Sequence, residues 1–201
     1  MNTPLDTLLH SMILYHRFLE HRMKYHMYSE IVILAMLRQR PQHGYELKKG
    51  IELALGGIVS LNNKVLYSAL KQFEEAGAIV REVVPQEGKP PRHIYQLTER
   101  GIELLHASLC NFPPEQAAND AEFFTRVAFF DYLEPQERQA ILQKRLASLQ
   151  SGLEYLHELQ QLANQACPTE YAQRVLSFHL QRVRNEHQWI ATWLEEMQGN
   201  A

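Results

Sequence analysis

The spacing of the apolar residues changes at Gly77, and this change strongly limits the folds open to the chain. Within LNNKVLYSALKQFEEAGAIV (61–80), apolar residues up to Gly77 recur about every 3.6 positions, which is typical of an amphipathic helix. After Gly77, residues 78–84 and 92–97 alternate apolar and polar side chains, and PQEGKPP (85–91) between them is rich in turn residues. The sequence therefore predicts a helix that Gly77 closes, followed directly by a β-hairpin with a long tip.

Helical patterns lie on both sides of this hairpin. Residues 31–40, whose apolar side chains lie nearly all round a helix, predict a buried helix with Ser29 as its N-cap, and HGYEL (43–47) begins a second, shorter helix. Asn62 is the predicted cap of the third helix, and Thr98 caps a fourth helix behind the hairpin. Three helices, a hairpin and a further helix form the order of a winged helix-turn-helix.

The C-terminal part of the chain is helical in a different way. Beyond the polar, proline-containing NFPPEQAAND (111–120), apolar residues recur in alternating steps of four and three, the a/d spacing of a coiled-coil seam. Two such seams, separated by Pro168, predict two long antiparallel helices that bury their stripes on each other or on a second copy of the chain. The predicted dimerisation residues are Leu142, Leu146, Leu149, Leu153, Leu156, Leu176, Leu180, Val183, His187, Ile190 and Leu194.

The predicted fold class is mainly α: an α+β winged helix-turn-helix with a two-stranded wing, followed by a C-terminal antiparallel helical dimerisation domain. The predicted domains are an N-terminal amphipathic helix or arm (1–28), the winged helix-turn-helix (29–110) and the helical dimerisation domain (111–201). In the arm, His16 and Glu20 share a face as metal ligands would, but no third ligand follows, and polar-face side chains are the better interpretation. No metal site is predicted.

Composition and motifs narrow the functional class. The formal net charge of the 201 residues is only −3, so any affinity for nucleic acid must come from a local patch. Cys110 and Cys167 lie far apart, which indicates neither a disulfide framework nor a zinc knuckle. The chain has no phosphate-binding glycine loop and no hydrolase motif, so we do not expect an enzyme. Because no apolar run is long enough for a membrane helix, we expect a cytoplasmic protein without a membrane partner.

The third helix has one apolar and one polar face. The apolar side chains are Leu66, Ala69, Leu70 and Phe73. The opposite face carries Lys64, Tyr67, Ser68 and Lys71. Glu74 and Glu75 come only at the far end, which suits a helix whose N-terminal half enters the major groove of DNA.

Charge is also distributed unevenly along the chain. Residues 29–109 contain ten Lys and Arg against nine Asp and Glu, a net charge of +1, whereas the residues from Cys110 onward contain seven against twelve, a net charge of −5. The basic residues are thus concentrated in the part with the candidate recognition helix. The pattern favours DNA binding, and the alternative is a winged-helix dimer that serves as a protein-interaction scaffold without binding DNA.

Three motifs resemble the PadR family of bacterial transcription regulators. LNNKVLYSALKQFEEAGAI (61–79) resembles the family's recognition helix, and HGYEL (43–47) and RHIYQLTERG (92–101) resemble its flanking segments at matching spacing. From about Glu122 to WIATWLEEM (189–197), the chain is similar to the long helical dimerisation region of one PadR branch. The family usually has glycine and threonine where this chain has Lys64 and Val65, and Ser68 replaces a frequent proline.

The resemblance implies a homodimeric repressor that binds double-stranded DNA at a pseudo-palindromic operator, with half-sites about 34 Å apart. Activation in place of repression remains an alternative. Tyr67 has a second interpretation, in which its phenol packs on the wing and only grazes a phosphate. The implied DNA contacts are Asn63, Lys64, Tyr67, Ser68 and Lys71 on the recognition helix, Lys89 and Arg92 on the wing, and Lys48 and Lys49 as backbone anchors.

No cofactor is predicted, although the family resemblance raises the question of a small aromatic effector. Aromatic residues are concentrated in the C-terminal part, but such clusters are more often core than ligand pocket. His187 is the polar exception in the second seam. We favour a role in dimer register for His187 over a pocket edge or a pH-sensitive contact.

Overall fold

The computed structural model describes residues 27–54, 61–85, 92–166 and 169–199. These residues form two compact units: the first comprises residues 27–113 and 119–138, and the second comprises residues 114–118 and 139–199. Within the described ranges, no helix is both long enough and apolar enough to cross a membrane. The helices are α1 (Met27–Gln39), α2 (Gly44–Ala54), α3 (Asn63–Glu75), α4 (Glu99–Cys110), α5 (Pro114–Ala117), α6 (Asp120–Ala128), α7 (Pro135–Ala166) and α8 (Glu170–Gly199). The strands are β1 (Gln42–His43), β2 (Ile79–Val84) and β3 (Arg92–Leu97).

Helix α1 is the centre of the first unit. Its residues 31–37 are all buried, as its nearly all-apolar sequence predicts. The prediction that Ser29 caps this helix is wrong, because α1 begins at Met27 and Ser29 lies buried inside its first turn. Instead, the backbone N–H of Tyr28 donates to Oε1 of Glu122 at 3.1 Å, so a carboxylate from α6 satisfies the helix N-terminus.

Helix α3 begins and ends where the sequence predicts. Oδ1 of Asn62 accepts a hydrogen bond from the N–H of Val65 at 2.9 Å, which is the expected N-cap. Gly77 follows the helix with a φ of 71°, a left-handed conformation that glycine adopts without steric cost. The N–H of Ala78 then donates to the carbonyl of Phe73 at 2.8 Å, which closes the helix end.

The predicted hairpin is confirmed: β2 and β3 pair antiparallel, from Ile79 opposite Leu97 to Val84 opposite Arg92. The sheet has a third strand that the sequence did not predict, because β1 also pairs with β3 and gives the order β1-β3-β2. Two residues are too few to show an alternating pattern.

The start of α4 packs closely against the turn before the wing. Oγ1 of Thr98 accepts from the N–H of Gly101 at 3.1 Å, which confirms Thr98 as the cap. A Cβ on Gly101 would lie 2.1 Å from the carbonyl oxygen of Ala78, so only glycine permits this approach. The short RHIYQLTERG segment therefore fixes both the cap and the packing of α4.

A buried ion pair joins α6 to the winged-helix elements. Nη1 of Arg126 lies 2.7 Å from Oε2 of Glu122, and both side chains are almost completely buried. The guanidinium also donates to the carbonyls of Leu109 in the last turn of α4 at 3.2 Å and of Asn111, just after the helix, at 2.8 Å. Residues 119–138 thus pack with the winged helix. The predicted boundary at 110/111 instead lies at the polar, proline-containing segment that follows α4. The division into 1–28, 29–110 and 111–201 stays a prediction.

Helices α7 and α8 form most of the second unit, with 32 and 30 residues. Nη2 of Arg145 on α7 lies 2.6 Å from Oε1 of Glu186 on α8, and Nη1 donates to the carbonyl of Ala117 at 2.9 Å. Most of the two predicted seams are buried within a single chain. The buried members are Leu142, Leu149, Leu153, Leu156, Leu180, Val183, Ile190 and Leu194, and the half-buried ones are Leu146, Leu176 and His187.

Candidate nucleic-acid interface

Helix α3 is positioned by its buried face. Leu66, Ala69, Leu70 and Phe73 are buried, and their three- and four-residue spacing places them on one side of the helix. The predicted contact residues of this helix are all exposed on the remaining surface: Asn63, Lys64, Tyr67, Ser68 and Lys71. The structure therefore presents these five side chains together on one accessible face.

The two lysines of this face have different surroundings. Nζ of Lys71 lies 3.6 Å from Oε1 of Glu75, one turn further along the helix. Lys64 forms no ion pair with any residue in the described ranges. Its ammonium group stands in the first turn, where the helix dipole also favours an anion. Of the two charges, that of Lys64 is the more available to a phosphate.

Tyr67 is held by packing. A Cβ on Gly44 would lie 2.9 Å from both Cε1 and Oη of Tyr67, so the phenol ring rests directly on the backbone where α2 begins. The side chain is still 49% exposed. Gly44, from the HGYEL motif, is thus a positioning residue that was not predicted as part of the site.

A groove of about 640 Å³ lies between α3 and the strands of the wing. Nε of Arg81 on β2 lies 3.1 Å from Oε1 of Glu74 on α3, so an ion pair ties the wing to the far end of the helix. Burial raises the pKa of the Tyr95 phenol, which also lines this groove. Arg81 was not predicted as a site residue, although it is a basic residue of the predicted hairpin and lies at an exposed position of β2.

His43 and His93 connect β1 to β3 beside this groove. Nδ1 of His43 lies 3.0 Å from the carbonyl oxygen of His93, within hydrogen-bonding distance. The N–H of His43 donates to Oε2 of Glu46 at 3.1 Å, and this hydrogen bond lowers the pKa of the Glu46 carboxyl. The start of α2 is therefore fixed next to Tyr67 by a local cap and a strand pairing.

The remaining predicted contacts lie on α2 and the wing. Lys48 is half-buried, and Lys49 and Arg92 are exposed, with Arg92 at the first position of β3. Lys89 lies outside the described residues. The roles of all nine predicted contacts in DNA binding stay predictions.

Comparison with known proteins places this surface in a family. Residues 33–107, which include α3, β2, β3 and most of α4, match the Transcriptional regulator PadR-like family. Over 169 residues the chain is 28% identical to the Negative transcriptional regulator PadR of Bacillus subtilis, covering 81% of this chain and 93% of that relative. Residues 33–107 are thus a PadR-like transcriptional regulator domain.

The chain is also similar to solved structures. Bacillus subtilis PadR in complex with operator DNA is 24% identical, with 84% of this chain and 98% of that chain covered and a TM-score of 0.41. A transcriptional regulator from Clostridium thermocellum is 29% identical, with 39% of this chain and 76% of that chain covered and a TM-score of 0.37.

Proposed function

We propose that this PadR-type regulator is a cytoplasmic homodimer, without catalytic activity, that represses transcription by binding a pseudo-palindromic operator in double-stranded DNA. The observation that carries the proposal is the geometry of α3. Its apolar residues are buried, and its exposed face presents Asn63, Lys64, Ser68 and Lys71 to solvent. A helix held in this way can lay its polar face in a major groove without unfolding its own core.

The charges on α3 are arranged for such a contact. Lys64 and Lys71 lie in the first nine residues of the helix, and Glu74 and Glu75 lie in its last two. Phosphate groups would therefore meet lysines along the N-terminal part, and the carboxylates would sit where the helix leaves the duplex. Lys49 and Arg92, both exposed, add basic groups on α2 and the wing.

The dimer is proposed from an apolar stripe on α8. Tyr171, Val175, Phe178 and Trp189 are 77%, 70%, 69% and 45% exposed. Steps of four, three and eleven residues place these four side chains on one side of the helix, because eleven residues complete about three turns. The buried seam residues, such as Leu180 and Val183, lie on a different side of α8.

Among the residues that the structure describes, α8 thus presents an exposed apolar face beside its buried seam. A second copy of the chain would cover this face symmetrically and would supply the second α3 that a two-half-site operator needs. The prediction that the seam itself reaches the second copy now depends on the half-buried Leu146, Leu176 and His187.

Repression is supported by the relative from Bacillus subtilis, a negative transcriptional regulator whose length is almost fully matched. An operator bound by two copies would block access of the polymerase to a promoter. This is the simplest regulatory mechanism for a DNA-binding dimer.

The proposal is tested by measuring binding of the full-length protein to DNA from its own upstream region over a series of salt concentrations. We expect the logarithm of the affinity to fall linearly with the logarithm of the salt concentration, and the double variant Lys64→Ala/Lys71→Ala to lower the slope by about two contacts per subunit, or about four for the dimer. The matched control is Lys144→Ala, which removes an exposed lysine from α7. Equal slopes for all three proteins would contradict the proposal and favour the scaffold alternative.

A further inference from the structure

Three potential metal ligands meet in the first unit, where α4 ends and α7 begins. Nε2 of His106 lies 3.0 Å from Oε1 and 3.1 Å from Oε2 of Glu137. Sγ of Cys110 lies 3.3 Å from Oε1 of Glu137 and 3.8 Å from Nε2 of His106. The three ligand atoms are all within 4.8 Å of one another.

The local structure explains how these groups come together. His106 and Cys110 are four residues apart on α4, so their side chains share one face of the helix. Glu137 lies in the first turn of α7, where its Oε2 accepts the N–H of Glu134 at 2.9 Å. The carboxylate is therefore fixed by the N-terminus of one helix and directed to the last turns of another.

We propose that His106, Cys110 and Glu137 bind a divalent transition-metal ion, with Zn²⁺ as the best fit. Metal–ligand bonds of about 2.0–2.3 Å in a tetrahedron place the N, S and O ligands about 3.4–3.6 Å apart. The observed separations of 3.0 to 3.8 Å differ from these values by only a few tenths of an ångström. Small side-chain rotations would therefore complete the coordination of the ion.

The chemistry of the three ligands selects the metal. A thiolate and an imidazole favour Zn²⁺ over Mg²⁺ and Ca²⁺, which prefer oxygen ligands. The Glu137 carboxylate supplies an oxygen ligand, and the hydrogen bond from the Glu134 N–H to Oε2 holds it in place. Binding requires the Cys110 thiol to release its proton to solvent, and Nε2 of neutral His106 supplies its lone pair.

The fourth coordination position is open to solvent. The side chains of His106 and Glu137 are 50% and 30% exposed, so water reaches the cluster. Three protein ligands and one water form the arrangement of zinc sites that retain an exchangeable position. The site is separate from the exposed face of α3, and the inference does not depend on the proposed DNA binding.

The test uses full-length protein purified without metal and titrated with Co²⁺, followed by displacement with Zn²⁺. We expect one ion per chain and a thiolate-to-cobalt charge-transfer absorption that Zn²⁺ abolishes. Cys110→Ser should remove this absorption and weaken Zn²⁺ binding by about 100-fold or more. Loss of a residue that only supports a metal ligand typically lowers the affinity about 10–100-fold, and loss of a ligand itself should cost at least as much. The matched control, Cys167→Ser, removes the other cysteine and should retain both properties.

Glu137→Gln provides a second variant that keeps the capping side chain at the start of α7, since glutamine also serves at this position. We expect its Zn²⁺ affinity to fall by about tenfold or more with an unchanged melting temperature in the absence of metal. Failure to bind Co²⁺, charge transfer that persists in Cys110→Ser, or charge transfer that disappears in Cys167→Ser would each overturn the proposal. Repeating the DNA-binding measurement without metal tests the proposed function separately.

Discussion

Helices α3 and α8 are both buried along one side and exposed along another, but their exposed sides differ in chemistry. On α3 the exposed side presents Lys64, Ser68 and Lys71. On α8 it presents Tyr171 and Phe178, which are 77% and 69% exposed. The buried sides are alike, because each consists of apolar residues at helical spacing.

The charged face of α3 and the apolar face of α8 suit different kinds of partner. Exposed lysines are stable in water, and their charge is used only when an anion approaches. An exposed apolar stripe gains about 25 cal/mol for each Å² that a partner removes from water. The α3 face therefore suits a polyanion and the α8 face a protein surface.

The largest expected effect comes from placing a charge in the apolar face. Phe178→Asp should raise the dissociation constant of the dimer by about 100-fold or more, because it removes a buried aromatic from both copies and forces a carboxylate into the contact. Dilution series followed by light scattering or sedimentation would measure the change. Ser177→Asp introduces the same charge at the neighbouring exposed position, off the stripe, and should leave the dimer intact. Equal loss in both variants would mean that net charge, and not the stripe, controls association.

The next effect concerns the charged face. Lys64→Ala should lower DNA affinity several-fold at low salt and reduce the slope of the salt dependence by about one per subunit, or about two for the dimer. We expect little change in the free energy of unfolding. Lys64 has no ion pair with the described residues, so its removal costs the folded protein almost nothing. Chemical denaturation alongside the binding series would separate the two effects. A large loss of stability would contradict the interpretation of this face as free for a ligand.

A smaller effect is expected from the carboxylate beside Lys71. Glu75→Gln should raise DNA affinity by about two- to threefold, because Lys71 no longer shares its charge with Oε1 of Glu75 at 3.6 Å. The gain should disappear when Lys71→Ala is present, and a double-mutant cycle measures this coupling. Additive effects of the two substitutions would show that the pair does not compete with DNA.

Features that depend on neighbours in sequence were predictable, and those that depend on distant residues were not. The caps of Asn62 and Thr98 act on residues three positions away, and both predictions are confirmed. The cap of α1 was missed because its acceptor, Glu122, is 94 residues from Tyr28. Local propensity cannot report a contact of this kind.

The candidate sites follow the same division. The faces of α3 could be derived from a helical wheel, because periodicity alone separates Leu66 and Leu70 from Lys64 and Lys71. The His106–Cys110 spacing was present in the sequence, but Glu137 lies 31 residues from His106 and only the fold joins it to them. The exposed stripe of α8 was missed because the stronger a/d seam on the same helix dominated the pattern.

The smallest effect should come from the hydroxyl of Tyr67, which borders both the charged face and the packed interior. Tyr67→Phe keeps the ring that rests on Gly44 and removes only the phenolic oxygen. If Tyr67 mainly packs, DNA affinity should change by no more than about twofold, whereas a lost hydrogen bond to a phosphate costs about 1 kcal/mol, or roughly fivefold. Binding of the wild type, Tyr67→Phe and Tyr67→Ala to the same DNA would distinguish these cases. A loss in Tyr67→Ala alone would assign the residue to positioning α3, and equal losses in both would assign it to the DNA contact.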